Sequence, residues 1–201
     1  LIQLTSESYL CQPWKNGGGT TLEIAREDLE GRMLWRVSIA TVASSGPFSD
    51  FSGYRRTILL LSGAGMVLGF DGVPPQRLDR PHVPFEFDGG ASVHGELIDG
   101  PVEDFNLMVD AVRATGTLDV LDLGAAQLTV APDHDTALLF ALSGAVRVDA
   151  DGHRYDLAER ESLRLDRDAS MPARVALSCA AIGAAAKVAL IGIDRVQPCG
   201  N

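Results

Sequence analysis

Histidine, cysteine and basic charge are all scarce in this 201-residue chain, and each scarcity removes a class of function. Its three cysteines, Cys11, Cys179 and Cys199, form no CxxC pair and leave an odd thiol however two of them pair, so neither a disulfide framework nor a zinc site is expected. They read as reduced thiols, with Cys179 buried in an apolar run. The four histidines, His82, His94, His134 and His153, stand apart, and none belongs to an HxH pair with a following Glu and His, the spacing by which a β-barrel holds a transition metal. Asp133-His134-Asp135 reads as an acidic turn, so no metal and no cofactor are expected. There is no GxSxG and no cysteine in a His-bearing motif, which leaves a nucleophilic hydrolase without support and assigns no catalytic residue.

Lys and Arg number 17 against 27 Asp and Glu, a net charge of −10 that repels phosphate backbones and acidic headgroups, so no nucleic-acid partner is expected. The longest apolar stretch, residues 179–193, is interrupted by Lys187 and is too short for a bilayer core of ~30 Å. With no membrane segment and no signal pattern ahead of it, the chain reads as cytoplasmic.

What is present is globular: 46% hydrophobic and 22% charged residues with a mean hydropathy of +0.09, enough apolar material for a substantial core. Helical periodicity is nearly absent. Period-two runs recur between Gly, Pro and Asp clusters, at residues 20–25, 34–42, 57–61, 66–70, 92–98 and 105–109, then 127–130, 137–142, 146–150, 162–165, 174–180 and 187–193. Such spacing predicts an all-β sandwich or barrel.

An internal repeat sharpens this. Leu60-Leu61-Ser62-Gly63-Ala64, followed by Met66-Val67-Leu68 and Asp71-Gly72, is echoed about 80 residues later by Ala141-Leu142-Ser143-Gly144-Ala145, Val146-Arg147-Val148 and Asp151-Gly152. In each copy a strand is expected to end at the Ser-Gly turn and a second to reverse at Asp-Gly. The predicted fold is two fused cupin-type jelly-roll (RmlC-like) β-barrels, a bicupin, with one barrel in residues 1–110, the other in 111–201 packed on it, and residues 100–122 as the connection.

Four segments carry candidate chemistry. Trp14-Lys15-Asn16-Gly17-Gly18-Gly19-Thr20 combines an Asn-Gly turn signal with three glycines whose N–H groups can face an acceptor, as a ligand rim or as a plain hairpin turn. Alternation from Leu34 to Ala40 puts Arg36 and Ser38 on one face and Trp35, Val37 and Ile39 on the other. A strand arginine is most simply solvated; inside a barrel it needs an acidic partner or ligand. Phe48, Ser49, Phe51, Arg55 and Arg56 crowd a Gly-flanked loop, as pocket wall or as a plug for the barrel end. Asp104, Asn106 and Met108 share a strand face, offering acceptors and an amide donor unless they only bond nearby backbone.

These segments, in this order, resemble the HutD/Ves family of bicupin proteins. The resemblance rests on Trp14, Asn16 to Thr20, Trp35, Arg36, Ser38, Ala40, Gly46, Pro47, Phe48, Ser49, Phe51, Gly53 and Arg56, then Phe85, Phe87, Gly89, Asp104, Phe105, Asn106 and Met108, across residues 10–110. It implies a cytoplasmic bacterial protein linked to histidine utilisation, restraining that pathway by binding a small acid such as urocanate or a formylated glutamate. On this reading Arg36 and Arg56 hold the carboxylate, and Asn16 with the Gly17, Gly18 and Gly19 amides bonds the polar end. Trp14 and Phe48 form walls, Ser38 and Ser49 add hydroxyls, and Asp104 with Asn106 orients the site. A homodimer is compatible with this. Two other readings stay open: a metal-independent isomerase or hydrolase with Asp104 as general base, and a protein-interaction module. Against the enzyme, a neighbouring Arg is expected to lower the Asp104 pKa and weaken it as a base.

Overall fold

The computed structural model describes residues 1–15, 17–124, 127–167 and 176–196. Among these the chain is built of strands, with one 3-10 turn at Ser6–Ser8 between β1 (Ile2–Leu4) and β2 (Leu10–Pro13). β3 (Gly19–Leu29) and β4 (Arg32–Val42) form a long hairpin whose turn residues Glu30 and Gly31 both have positive φ, the geometry that matches strand twist. There follow β5 (Gly46–Pro47), β6 (Tyr54–Ser62), β7 (Met66–Phe70), β8 (Val73–Leu78), β9 (Phe85–Asp88), β10 (Val93–Leu97) and β11 (Val102–Asp110). The remainder is β12 (Ala114–Leu123), β13 (Leu128–Val130), β14 (Thr136–Ala150), β15 (His153–Leu157), β16 (Ser162–Asp166) and β17 (Leu177–Arg195).

The strands fall into two compact units. In Tyr9–Thr115 the chain passes repeatedly between a six-stranded sheet, β2-β3-β4-β11-β6-β9, and a four-stranded sheet, β5-β10-β7-β8, which is jelly-roll behaviour. Gly116–Arg195 forms a single sheet with the central order β16-β14-β17-β12, and β15 and β13 paired to β14 and β17. Leu1–Ser8 belongs to this second unit, because β1 adds to β16 in the register Ile2↔Arg164. The boundary thus lies at 115/116, with the first eight residues contributed to the C-terminal barrel.

The pairings reveal the duplication. In the first unit β6 pairs with β9 and β11, and β7 with β8 and β10. In the second, the first half of β14 pairs with β16 and with Lys187–Ile193 of β17, while its second half pairs with β15 and with Leu177–Ile182. β14 thus does the work of β6 and β7, and β17 that of β10 and β11. The expected strand end at Ser143-Gly144 is a bulge instead: the register shifts on both sides of Ser143, opposite residues 183–186, and the ladder bends without breaking.

Residues 100–122 are not a connector, since they carry all of β11 and most of β12. The connection is the short turn after Asp110, whose Oδ1 accepts from the N–H groups of Val112 and Arg113 at 3.0 and 3.1 Å. β12 escaped the period-two reading because its buried residues, Ala114, Leu118 and Leu123, do not alternate. β8 carries Pro74 and Pro75 and lies at a sheet edge, where a missing N–H costs no ladder bond. Residues 174–175, Asn16 and Cys199 lie outside the described residues; Cys179 is buried as expected and Cys11 is exposed.

The two interiors differ in kind. The C-terminal cluster is aliphatic, built around Leu139, Val146, Val148, Leu157, Leu163, Leu177, Cys179 and Val188. The N-terminal one includes Val42, Ile58, Leu60, Met66, Leu68 and Phe87, and the buried charged side chains among the described residues, Arg56, Asp104 and Asp110, all belong to that unit.

Candidate functional site

Register alone assembles the site. On β11, Asp104, Asn106 and Met108 lie opposite Ala40, Ser38 and Arg36 of β4, and on the other side opposite Leu60, Ile58 and Arg56 of β6. Residues directly opposite across a ladder project to the same face, so three rungs form: Ala40–Asp104–Leu60, Ser38–Asn106–Ile58 and Arg36–Met108–Arg56. Ile58 and Leu60 belong to the barrel core, which makes this the inner face. Arg36, read alone as a solvated strand residue, therefore points inward with Ser38. Residues of the opposite face, Trp35, Val37, Ile39, Phe105 and Leu107, are buried as well.

A polar chain runs down β11. Arg56, only 7% exposed, donates from Nη2 to Asn106 Oδ1 at 3.0 Å, and Asn106 Nδ2 donates in turn to Asp104 Oδ1. Arg36 donates from Nη2 to the Met108 sulfur at 3.2 Å, a weak acceptor for a cation. The Nε atoms of both arginines are buried without a hydrogen-bond partner. Each such donor costs about 1–3 kcal/mol, so the site as it stands is under-satisfied.

Aromatic rings hold the guanidiniums. Arg56 lies 5.3, 5.6 and 5.0 Å from the ring centres of Phe48, Phe51 and Phe87, and Arg36 lies 5.5 Å from that of Phe51. Phe51 is thus shared between the two cations. Phe48 fits because β10 carries Gly95 beside it; a Cβ there would stand 2.7 Å from Phe48 Cε1. Phe87 also stacks on Phe85 and, with Phe70, lines a groove of about 280 Å³ beside the edge strand β8. Phe51, Phe87 and Met108 enter the site beyond the residues assigned from sequence. Phe87 was legible, with Phe85, as one of the two inward residues of the alternating run Phe85-Glu86-Phe87-Asp88.

Burial governs the titrations. Desolvation lowers the Arg56 pKa to about 10, with Asp104 opposing the shift and Arg36 adding to it, and Arg36 is likewise lowered by burial. Asp104 is pushed up to about 7, because loss of water outweighs the Asn106 hydrogen bond and the Arg56 charge. Arg56 does lower it, as expected, but the net shift is upward: at 1% exposure the carboxylate gives up more hydration than a guanidinium bonded through Asn106 restores.

The remaining predicted residues sit apart from the guanidiniums. Trp14 Nε1 donates to Thr21 Oγ1 at 2.8 Å, and Thr21 lies opposite Ala40, which places Trp14 at the Asp104 end. Gly17 N–H is committed to the Trp14 carbonyl at 3.0 Å, so that amide is spent on its own turn, while Gly18 C=O accepts from Ala43 N–H beyond the end of β4. Gly19 is in β3 opposite Val42, and a Cβ on it would meet the Thr41 carbonyl oxygen at 2.1 Å, so it permits close backbone approach. Ser49 is exposed. The described residues contain no group of three or more His, Cys, Asp or Glu able to hold a metal ion, and no helix long and apolar enough to cross a membrane.

Comparison with known proteins bears on the fold and the family. A cupin barrel-domain protein from Leptotrichia buccalis superposes with a TM-score of 0.59 at 11% identity, covering 87% of this chain and 88% of its own, which establishes the cupin fold. HutD from Pseudomonas fluorescens SBW25 superposes with a TM-score of 0.83 at 33% identity over 98% of this chain and 99% of its own. An uncharacterized 21.2 kDa protein in the hutC 3' region of Pseudomonas putida is 40% identical over 169 residues, 81% of this chain and 85% of that one. The HutD family model matches residues 6–188, and with these relatives it shows that this bicupin chain belongs to the HutD family.

Proposed function

We propose that the N-terminal barrel binds a small organic acid without a metal, the carboxylate held between Arg36 and Arg56. The observation that carries this is the pair of inward guanidiniums with buried, unpaired Nε atoms, which neither Asp104 nor the half-buried Glu23 opposite Ser38 on the same face satisfies. A guanidinium taken out of water costs several kcal/mol, and an anion is the partner that offsets it. Phe48, Phe51 and Phe87 supply planar walls for a ligand with a conjugated or amide group, while Ser38 and Asn106 supply hydrogen bonds.

Urocanate and formylated glutamates have this chemistry, and a role in modulating histidine utilisation accords with family membership and with a relative in a hutC region. The test is a thermal-shift series over formate, urocanate and formylglutamate with wild type, Arg36→Ala and Arg56→Ala. Wild type should gain stability with at least one acid and both variants should lose that gain; an unchanged response in both discards the assignment.

A second reading, catalysis with Asp104 as general base, is favoured by its pKa of about 7, near the optimum for proton transfer at neutral pH. Incubation of each acid with catalytic amounts of protein separates the readings, since a binder leaves the acid unchanged.

A further inference from the structure

We propose that Glu23 is the cation-recognising residue of this site, so that the barrel takes amphoteric acids: the carboxylate lies between Arg36 and Arg56, and an ammonium or similar N–H-bearing cation on the same molecule meets Glu23. This rests on the carboxylate-binding reading. Glu23 lies on β3 opposite Ser38 of β4 on one side and Leu10 of β2 on the other, which extends the rung Ser38–Asn106–Ile58 of the inner face by two members. A bulge follows it. The register shifts between Glu23 and Ala25, Ile24 is the extra residue, and the strand is re-aimed so that Arg26 comes opposite Arg36. Glu23 is half-buried, and its neighbour Leu10 is exposed on the edge strand β2, so the carboxylate stands on the open side of the face and the arginines on the closed side.

The charged groups on this face are Glu23 and Arg26 from β3, Arg36 from β4, Asp104 and Asp110 from β11, and Arg56 from β6. Three of them are committed. Arg26 is bonded to Asp28 at 2.7 Å, Asp104 accepts from Asn106, and Asp110 caps the turn after β11 with Arg32 3.3 Å away. Glu23 instead acts on Arg36 and Arg26 through charge, without a hydrogen bond to either. Two guanidiniums with buried, unpaired Nε atoms and a carboxylate that reaches neither are the complement of a molecule carrying both signs. Its carboxylate gives the arginines the direct bonds that Glu23 does not, and its cation occupies the place beside Glu23. A plain monocarboxylate brings its charge toward Glu23 with nothing to offset the repulsion. Strands about 4.8 Å apart and same-face residues about 7 Å apart put Glu23 about 8 Å from Arg36 along the diagonal, which suits charges separated by about two to four methylenes.

The test titrates the amino acids from 3-aminopropionate to 6-aminohexanoate calorimetrically at pH 7.5 against the acids from butyrate to heptanoate, in which a methyl group replaces each ammonium. Wild type should bind at least one amino acid roughly tenfold more tightly than its methyl counterpart. Glu23→Gln should move the two in opposite directions: that amino acid weakens roughly tenfold, and its counterpart tightens because the repelling carboxylate is gone. Glu23→Asp, whose carboxylate is set back by one methylene, should keep the preference and shift it to the next longer amino acid, and it reads the same contact with the charge retained should the amide variant not fold. Wild type that binds the plain acids as tightly as the amino acids, or a preference that survives Glu23→Gln, overturns the proposal and leaves carboxylate binding standing. Failure of every acid in both series to bind wild type overturns the carboxylate reading as well.

Discussion

Asn106 Oδ1 receives the Arg56 Nη2 hydrogen bond at 3.0 Å, and this contact fixes the direction of the polar chain along β11. With its oxygen committed to a donor, the amide can only present Nδ2 to Asp104. Asn106→Ala should therefore leave two buried groups short of partners at once. A loss of about 2–4 kcal/mol is expected, measured by urea denaturation, together with a weakened response to organic acids.

Arg36 gives the opposite expectation for stability. Its described contacts are a sulfur acceptor and a shared ring, and its Nε is unpaired, so the guanidinium sits there at a net cost. Replacing it with an apolar side chain of similar length, Arg36→Met, should leave stability unchanged or raise it by about 1–2 kcal/mol while abolishing the thermal shift with carboxylates. A marked destabilisation would mean the arginine is structural.

Asp104 makes the stability of the unliganded protein depend on pH. Its carboxyl titrates near 7 in the folded state and in the ordinary carboxylate range when unfolded, so between those values the folded chain binds more protons. Stability from this group is thus fully present at acid pH and falls as pH rises to about 7, with a slope of at most about 1.4 kcal/mol per pH unit. Above that the contribution is flat. Urea midpoints from pH 5 to 8 should show the decline in wild type, and Asp104→Asn should remove most of it.

How much of this was readable beforehand depends on the range of the signal. Alternation within residues 34–40 and 104–108 correctly grouped Arg36 with Ser38 and Asp104 with Asn106 and Met108, because facing along one strand is a local property. Which strands lie side by side is not local. Arg56 appeared to sit in a loop, yet β6 begins at Tyr54 and brings it opposite Met108. The turn chemistry of Ser-Gly was legible in both repeats but its outcome was not: the strand breaks at Gly63 and Gly65 in one copy and continues through Gly144 as a bulge in the other, decided by whether β17 bulges with it. Asp104's titration also escaped, since desolvation depends on neighbours that no motif lists.

Gly95 offers a test of the aromatic wall that leaves every charged residue in place. A methyl group at this position would stand 2.7 Å from the edge of the Phe48 ring, and the surrounding strand β10 is paired on both sides, so the ring must yield rather than the backbone. Moving Phe48 removes one of the three faces packed on Arg56 and alters the wall a ligand would lie against. Gly95→Ala should cost about 1–3 kcal/mol of stability, as overpacking does, and weaken binding of planar acids such as urocanate more than that of formate. Equal losses for both would show that the ring supports the barrel without touching the ligand.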